Sequence, residues 1–337
     1  GVRYVLEGSI QKSGNKVRVT TQLIDAVKGH HLWSERYDRK LKGLFKLKED
    51  IILKVANEVL VGLVTGEFLR QIVGYTGDLK PWQTNNLEAW EAFWLAPKFS
   101  RRNTKEDNAR ARELYTKAHQ LDPQWYVPLF GLAWTHWADA RHGWSESRNK
   151  SLDQAAELAN RVLSIQDKSG RAHQLIGAIH LMKREYEKAN SYYEKALSLS
   201  PSDPAIQAWR GFLLNYLGKP QEAITHFKIA MRLSPFYPAW YLYHLGLSYH
   251  LIGEHEKAIE ALKKAIERRP DSIFPHVRLV AVYSDLGREQ EARAEAAEVL
   301  RIKPDFSIEG WARANPFRDT AIVEYRKELL RKAGLPD

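Results

Sequence analysis

The side chains in this sequence best able to do chemistry are its 12 histidines, and their spacing does not gather them. His30 and His31 are adjacent, but neighbouring side chains of an extended strand leave opposite faces, so the two cannot readily chelate one ion. His250 and His255 straddle Gly253, with neither a cysteine nor a carboxylate pair at ligand spacing. The chain holds no cysteine, which excludes thiol catalysis, disulfides and thiolate metal sites. Gly218-Lys219 suggests a phosphate loop, but Leu213 stands where the loop needs glycine and Pro220 follows. There is no dinucleotide glycine motif, no His-Glu-x-x-His and no Gly-x-Ser-x-Gly. Acidic residues sit beside lysines, as in the stretch Glu254 to Lys257, which is the pattern of solvated helical partners. No catalytic centre, metal or cofactor is expected, and the chain is read as a binding module and not an enzyme.

The elements that position these residues fall into two regions. Residues 3–10 and 16–24 read as strands, the second with strict alternation, and Ser13-Gly14-Asn15 between them suits a hairpin turn. A turn at Lys28-Gly29 leads to a third strand, His31 to Tyr37. Leu44, Leu47, Ile51, Val55 and Val59 then recur at helical spacing, so one amphipathic helix to about Val64 is expected to cover the sheet. Beyond a Gly-rich and Asn-rich linker, the sequence repeats. Pro201, Pro235, Pro270 and Pro304 are 34, 35 and 34 residues apart, as are Ala189, Ala223, Ala258 and Ala292. Gly177, Gly211 and Gly246 precede those alanines by 12 residues, with Val280 in the fourth slot. A period near 34 is the mark of tetratricopeptide hairpins, pairs of antiparallel helices stacked side by side. The small residues belong where two backbones approach, and Tyr193, Phe227 and Leu262 fill the adjoining gap, with Ala296 departing from that rule. The frame extends backwards through Ala133, Ala155 and Ala159, with about ten extra residues, Arg141–Lys150, expected to lengthen the loop between the paired helices, and through Ala111, Tyr115 and Ala118.

The expected fold is therefore mainly α: a tetratricopeptide-repeat right-handed superhelix of about six hairpins with a C-terminal capping helix near Thr320–Lys332, preceded by a small antiparallel α+β segment. The boundaries are 1–65 for that segment, 66–86 for the linker and 87–337 for the repeats. In the first helix of such a hairpin, positions 2, 5, 9 and 12 face the concave groove. Here they include Phe130, Trp134, Trp137, Arg171, Gln174, Phe212, Asn215, Trp240, Tyr243 and His250. The groove is expected to be aromatic and nearly uncharged, open to a protein or peptide or else filled from within by Trp144 and its loop or by the N-terminal segment.

Several motifs add a resemblance. The stretches Gly1–Ser9, Val17–Asp25 and His31–Asp38 resemble the TolB/FlgO-like segment that, in certain bacterial proteins, joins an N-terminal signalling domain to C-terminal tetratricopeptide repeats. Leu132–Thr135, Gly143–Ser145, Pro235–Tyr241, Asn315–Phe317 and Lys332–Pro336 are further matches. Most proteins of this kind look like class III adenylate or guanylate cyclases. The resemblance implies that this chain is the regulatory or sensory part of such a signalling protein, without its cyclase domain or the metal-binding aspartates that domain carries. It also implies a TolB-like segment lacking its preceding strand-helix units, hence an open edge and a possible homodimer through the N-terminal strands. The alternative is an assembly scaffold with no signalling role.

The bulk composition fits this reading. Net charge is +10, half of it within residues 1–77, but no basic block of the kind nucleic acid demands is present. No apolar run is long enough to span a membrane. The first residue is Gly1, without an initiator methionine or a signal peptide, and the chain is expected to be a piece of a longer protein. A cysteine-free chain suits a reducing cytosol or a periplasm, and the cytoplasm is the expected compartment.

Overall fold

The structure, a computed structural model, describes residues 4–14, 16–25, 30–40, 84, 86–234 and 237–337. The N-terminal strands are β1 (Tyr4–Ser13), β2 (Lys16–Asp25) and β3 (His30–Lys40), paired antiparallel in the order β1-β2-β3. Gly14 takes a left-handed φ of +56° at the β1–β2 turn, a conformation costly for other residues. Val19 pairs with Tyr37 across β2 and β3, and both side chains are buried. Beside them Arg18 reaches Asp38 on the partner strand at 2.7 Å. The register shifts at Leu23/Ile24, where Leu23 faces Trp33 and Ile24 faces His31, so β3 carries one extra residue there. The expected helix over Leu44–Val64, the Lys28-Gly29 turn and most of the 66–86 linker lie outside the described residues.

Helices fill the remaining described residues: α1 (Leu87–Ser100), α2 (Lys105–Leu121), α3 (Val127–His142), α4 (Arg148–Ile165), α5 (Gly170–Met182), α6 (Tyr186–Leu199), α7 (Pro204–Tyr216), α8 (Pro220–Leu233), α9 (Ala239–Leu251), α10 (His255–Arg268), α11 (Ile273–Asp285), α12 (Glu289–Ile302), α13 (Ile308–Ala314) and α14 (Thr320–Lys332). The first twelve pair into six hairpins. Packing of the first hairpin reaches back to Thr84, which bonds Asp122 and accepts from the Asn86 backbone N–H, while the Asn86 side chain caps α1 and donates to the Leu121 carbonyl.

Local signals explain the element ends. Ser169 and Asp203 side chains accept backbone N–H groups at the starts of α5 and α7, which supplies partners the first turn otherwise lacks. Gly218, Gly253 and Gly287, at φ between +70° and +78°, end the first helices of three successive repeats. Pro201, Pro270 and Pro304 follow two residues after α6, α10 and α12.

Between paired helices the small residues sit as their type requires. A Cβ on Gly177, Gly211 or Gly246 would come within 2.7–2.9 Å of Tyr193, Phe227 or Leu262 respectively. The sixth hairpin exchanges the sizes: Val280 replaces the glycine and Ala296 the large residue, both buried in one cluster. The Ala296 departure is thus compensated within its own hairpin.

One expectation is corrected. The extra residues 141–150 do not form a long loop. Helices α5–α12 alternate between 13 and 14 residues, whereas α3 has 16 and α4 has 18, leaving 143–147 as the connection. Gly143, left-handed at φ +69°, stops α3 late, and Ser147 starts α4 early by accepting the Lys150 N–H.

Candidate functional site

The concave face carries a continuous strip of rings. Phe130 and Trp134 meet edge to face at 6.1 Å, Trp134 and Trp137 at 5.2 Å. Trp209 on α7 ties the strip together, with centroids 4.9 Å from Trp134, 5.3 Å from Trp137, 4.8 Å from Phe212 and 5.2 Å from Trp240. Pattern reading missed Trp209 because it lies outside positions 2, 5, 9 and 12. A signal existed: Trp209, His244 and Arg278 are 35 and 34 residues apart, a second row with the repeat's own period.

Burial divides the expected groove residues. Phe130, Trp134, Trp240 and Tyr243 are half-buried. Trp137, Gln174, Phe212, Asn215 and His250 are buried and unavailable to a partner as they stand. Asn215 donates to the His244 carbonyl and accepts from Ser248, locking α7 to α9. Arg171 is committed to Asp203, the cap of α7, at 2.5 Å. The Trp137 indole donates to the Ala178 carbonyl at 3.2 Å.

Among the described residues, the Trp144 loop packs against the groove helices as expected, because Phe274, which His142 reaches, stacks on Tyr243 at 5.6 Å, and a segment not expected there packs against them too. Trp144 stacks on His142 at 4.5 Å, and His142 reaches Phe274 at the start of α11. The C-terminal segment crosses the concave side. Phe317, 1% exposed, packs on Tyr216 at 4.8 Å, and its carbonyl accepts from Arg184 at 3.1 Å and the Tyr186 hydroxyl at 3.0 Å. The Tyr216 hydroxyl donates to the Asn315 side-chain oxygen at 2.9 Å, and Arg148 donates to the Arg313 carbonyl at 2.7 Å. Helix α14 then covers α11, where Ser284 donates to the Leu329 carbonyl. The last helix does cap the final repeat as expected, but residues 311–318 also occupy the groove.

The expectation of a nearly uncharged groove is overturned. Arg141, on the turn that α3 gains, lies with Cζ 5.0 Å from the Phe212 ring and 5.2 Å from Trp137. Arg278 lies 5.5 Å from the Tyr243 ring, and its Nη2 faces His244 Nδ1 at 3.4 Å. Arg326 on α14 donates to His250 Nδ1 at 3.2 Å. Because a guanidinium only donates, both Nδ1 atoms accept, so both histidines are neutral with the proton on Nε2. Burial, reinforced by these arginines, holds His244 well below its ordinary value and pulls His250 down to about 3. Burial and the Arg278 charge pull Arg326 down to about 9.

His250 Nε2 donates to Asp285 at 3.1 Å, and the Tyr325 hydroxyl also binds that carboxylate. Ligand atoms of His250, His255 and Asp285 lie within 4.8 Å of one another, a grouping the sequence did not suggest. Arg326, bonded to the far side of the same imidazole, places a buried cation where a metal would need an anion, so the set is poorly suited to a cation.

Residues 170–203 and 204–271 match family models described as tetratricopeptide repeat. The chain is 30% identical over 189 residues to putative adenylate cyclase 3 of Rhizobium meliloti, covering 55% of this chain and 30% of that protein. It is 22% identical over 251 residues to the transcriptional regulator HilA of Salmonella typhimurium, covering 74% of this chain and 43% of that one. The chain thus spans less than half the length of these curated relatives. Among solved structures, a chain of the APC/C hetero-tetramer Cut9–Hcn1 superposes with a TM-score of 0.55 at 18% identity, over 86% of this chain and 55% of that one. Hairpins, period and superposition agree: the helical part of the chain is a tetratricopeptide-type superhelix with a small antiparallel sheet before it.

Proposed function

We propose that this tetratricopeptide interaction module is the regulatory part of a larger bacterial signalling protein of the adenylate cyclase type, and that the chain itself performs no nucleotide chemistry. The observation that carries this reading is the 30% identity over 189 residues to a protein named as a putative adenylate cyclase, of which those residues form a minor share. The three-stranded sheet is assigned to a TolB-like connector between the output domain and the repeats. The partner is a protein or peptide whose apolar side chains enter the half-exposed strip of Phe130, Trp134, Trp209 and Trp240. Aromatic anchors of this kind dominate interface energetics.

The test uses the complete reading frame that contains these residues. The whole protein, incubated with ATP or GTP and Mg²⁺ or Mn²⁺, is expected to form cyclic nucleotide at a rate that Trp240→Ala alters. The 337-residue chain alone is expected to form none. Cyclase activity in this chain, or a complete protein with no cyclase output, refutes the reading.

A further inference from the structure

Among the described residues, the buried arginines of the concave face have no ion-pair partner, and the one carboxylate that acts on Arg326, Asp285, is bonded instead to His250 and Tyr325. Arg141 and Arg278 are each 7% exposed and Arg326 is 3% exposed. Among the described residues none of the three forms an ion pair with a carboxylate. Arg141 Nη1 and Arg326 Nε are buried without any hydrogen-bond partner, and so is the hydroxyl of Tyr193. The groups share one neighbourhood. Arg141 packs on Phe212, whose ring is 4.7 Å from His244, and His244 accepts from Arg278. Arg141 acts electrostatically on Tyr193, Tyr243, His244 and Arg278, and Arg278 acts on Arg326. His244 and His250 are neutral and already occupied as acceptors, so they cannot balance the charge.

We propose that this part of the concave face binds a small oxyanion, the carboxylate or phosphate group of a small molecule, through Arg141, Arg278 and Arg326 with Tyr193 as a neutral donor. Ordered water can satisfy an orphan N–H, but it cannot neutralise several like charges withdrawn from solvent; an oxyanion does both. Guanidinium forks suit the planar carboxylate and the phosphate alike. The Asn315–Phe317 segment lies over the same face through Tyr216, so the anion is enclosed between the repeats and the C-terminal segment. This inference does not depend on the cyclase reading, since it concerns only groups on the page.

Thermal unfolding of the full chain is followed in sodium phosphate and, separately, in sodium succinate, against sodium chloride of matched ionic strength. The midpoint is expected to rise with the logarithm of anion concentration beyond the chloride control, as for any ligand that binds only the folded state. A response to phosphate alone assigns a phosphate-bearing ligand, a response to succinate alone a carboxylate, and a response to both the shared chemistry. Arg141→Met keeps an apolar stem against Trp137 and Phe212 while removing the charge. It is expected to raise the anion-free midpoint and weaken the anion about ten-fold or more, the worth of one charge-assisted hydrogen bond. Midpoints that track ionic strength alone in the unaltered chain overturn the proposal, whether or not the variant folds. An undiminished anion response in a folded Arg141→Met overturns it too.

Discussion

Replacing Phe317 by alanine tests whether the C-terminal segment is held in the groove by packing. The ring is 1% exposed, sits 4.8 Å from Tyr216 and shares a cluster with Leu181, Tyr193, Phe212 and Val323. Truncating a fully buried phenylalanine costs about 3–5 kcal/mol through lost burial and the cavity left behind. The neighbouring polar contacts do not offset this: the Phe317 carbonyl bonds to Arg184 and Tyr186 survive the substitution only if the segment stays in place. In a repeat unit of this size each kcal/mol moves the midpoint by roughly 2–4 °C, so a fall on the order of 6–20 °C is expected. Helix α14 keeps its own anchor on α11, so the loosening is expected to centre on residues 311–318. Thermal unfolding by circular dichroism gives the midpoint, and low-temperature tryptophan emission, compared with the same variant carrying Trp311→Phe, isolates Trp311, one of 11 tryptophans and half-buried in the same region. Arg318→Ala is the control, because its ion pair with Glu187 is exposed and worth about 0–1 kcal/mol. A fall of less than about 2 °C in Phe317→Ala, with unchanged emission, refutes the idea that packing holds the segment.

Three further outcomes are expected. Gly211→Val brings a side chain against Phe227 and the Ala223 carbonyl and is expected to cost about 2 kcal/mol or more, while adding Phe227→Ala recovers at least about 1 kcal/mol; additive midpoints in urea refute the size exchange. His244 and His250 have folded pKa values depressed below the ordinary histidine value, so the unfolded state binds more protons as pH falls below about 6.5 and stability declines with acid, with His250 contributing about 1.4 kcal/mol per pH unit near pH 5 and His244 adding in the same direction; a flat urea midpoint between pH 7 and 5 contradicts this. Among the described residues the N-terminal sheet has β1 and β3 as its outer strands, and it is expected to pair with a second copy, so sedimentation should show a concentration-dependent dimer that is lost in a chain starting just before Thr84; two monomers rule it out.

The hairpins were legible because their determinants are local and repeated. Prolines, glycines and alanines at 34 or 35 residue spacing fix where helices stop and where they touch, and the observed helix ends follow them. The Arg141–Lys150 stretch departs from the expected long loop because its Ser147 is a helix cap and its Gly143 a helix stop. Insertions between helices can extend the helices wherever the inserted residues continue the pattern of burial. Arg141 is itself buried, which no hydropathy pattern would propose.

The groove was legible in its aromatic content and not in its charge. Slot positions within one repeat identify residues that face inward, but they say nothing of what arrives from another part of the chain. Arg326 and Phe317 enter the concave face from beyond the last repeat, and Arg141 enters from an added turn, so none of them has a slot. Each of these intrusions makes the face less like an open peptide groove: Phe317 occupies it, and the guanidinium groups charge it. A peptide partner must then displace residues 311–318 or bind the exposed edge of the strip beside them. The Phe317→Ala variant separates these two modes. If the partner displaces the segment, loosening it removes a competitor and affinity rises; if the partner binds beside it, affinity stays the same or falls as the shared cluster that packs against Trp240 loosens.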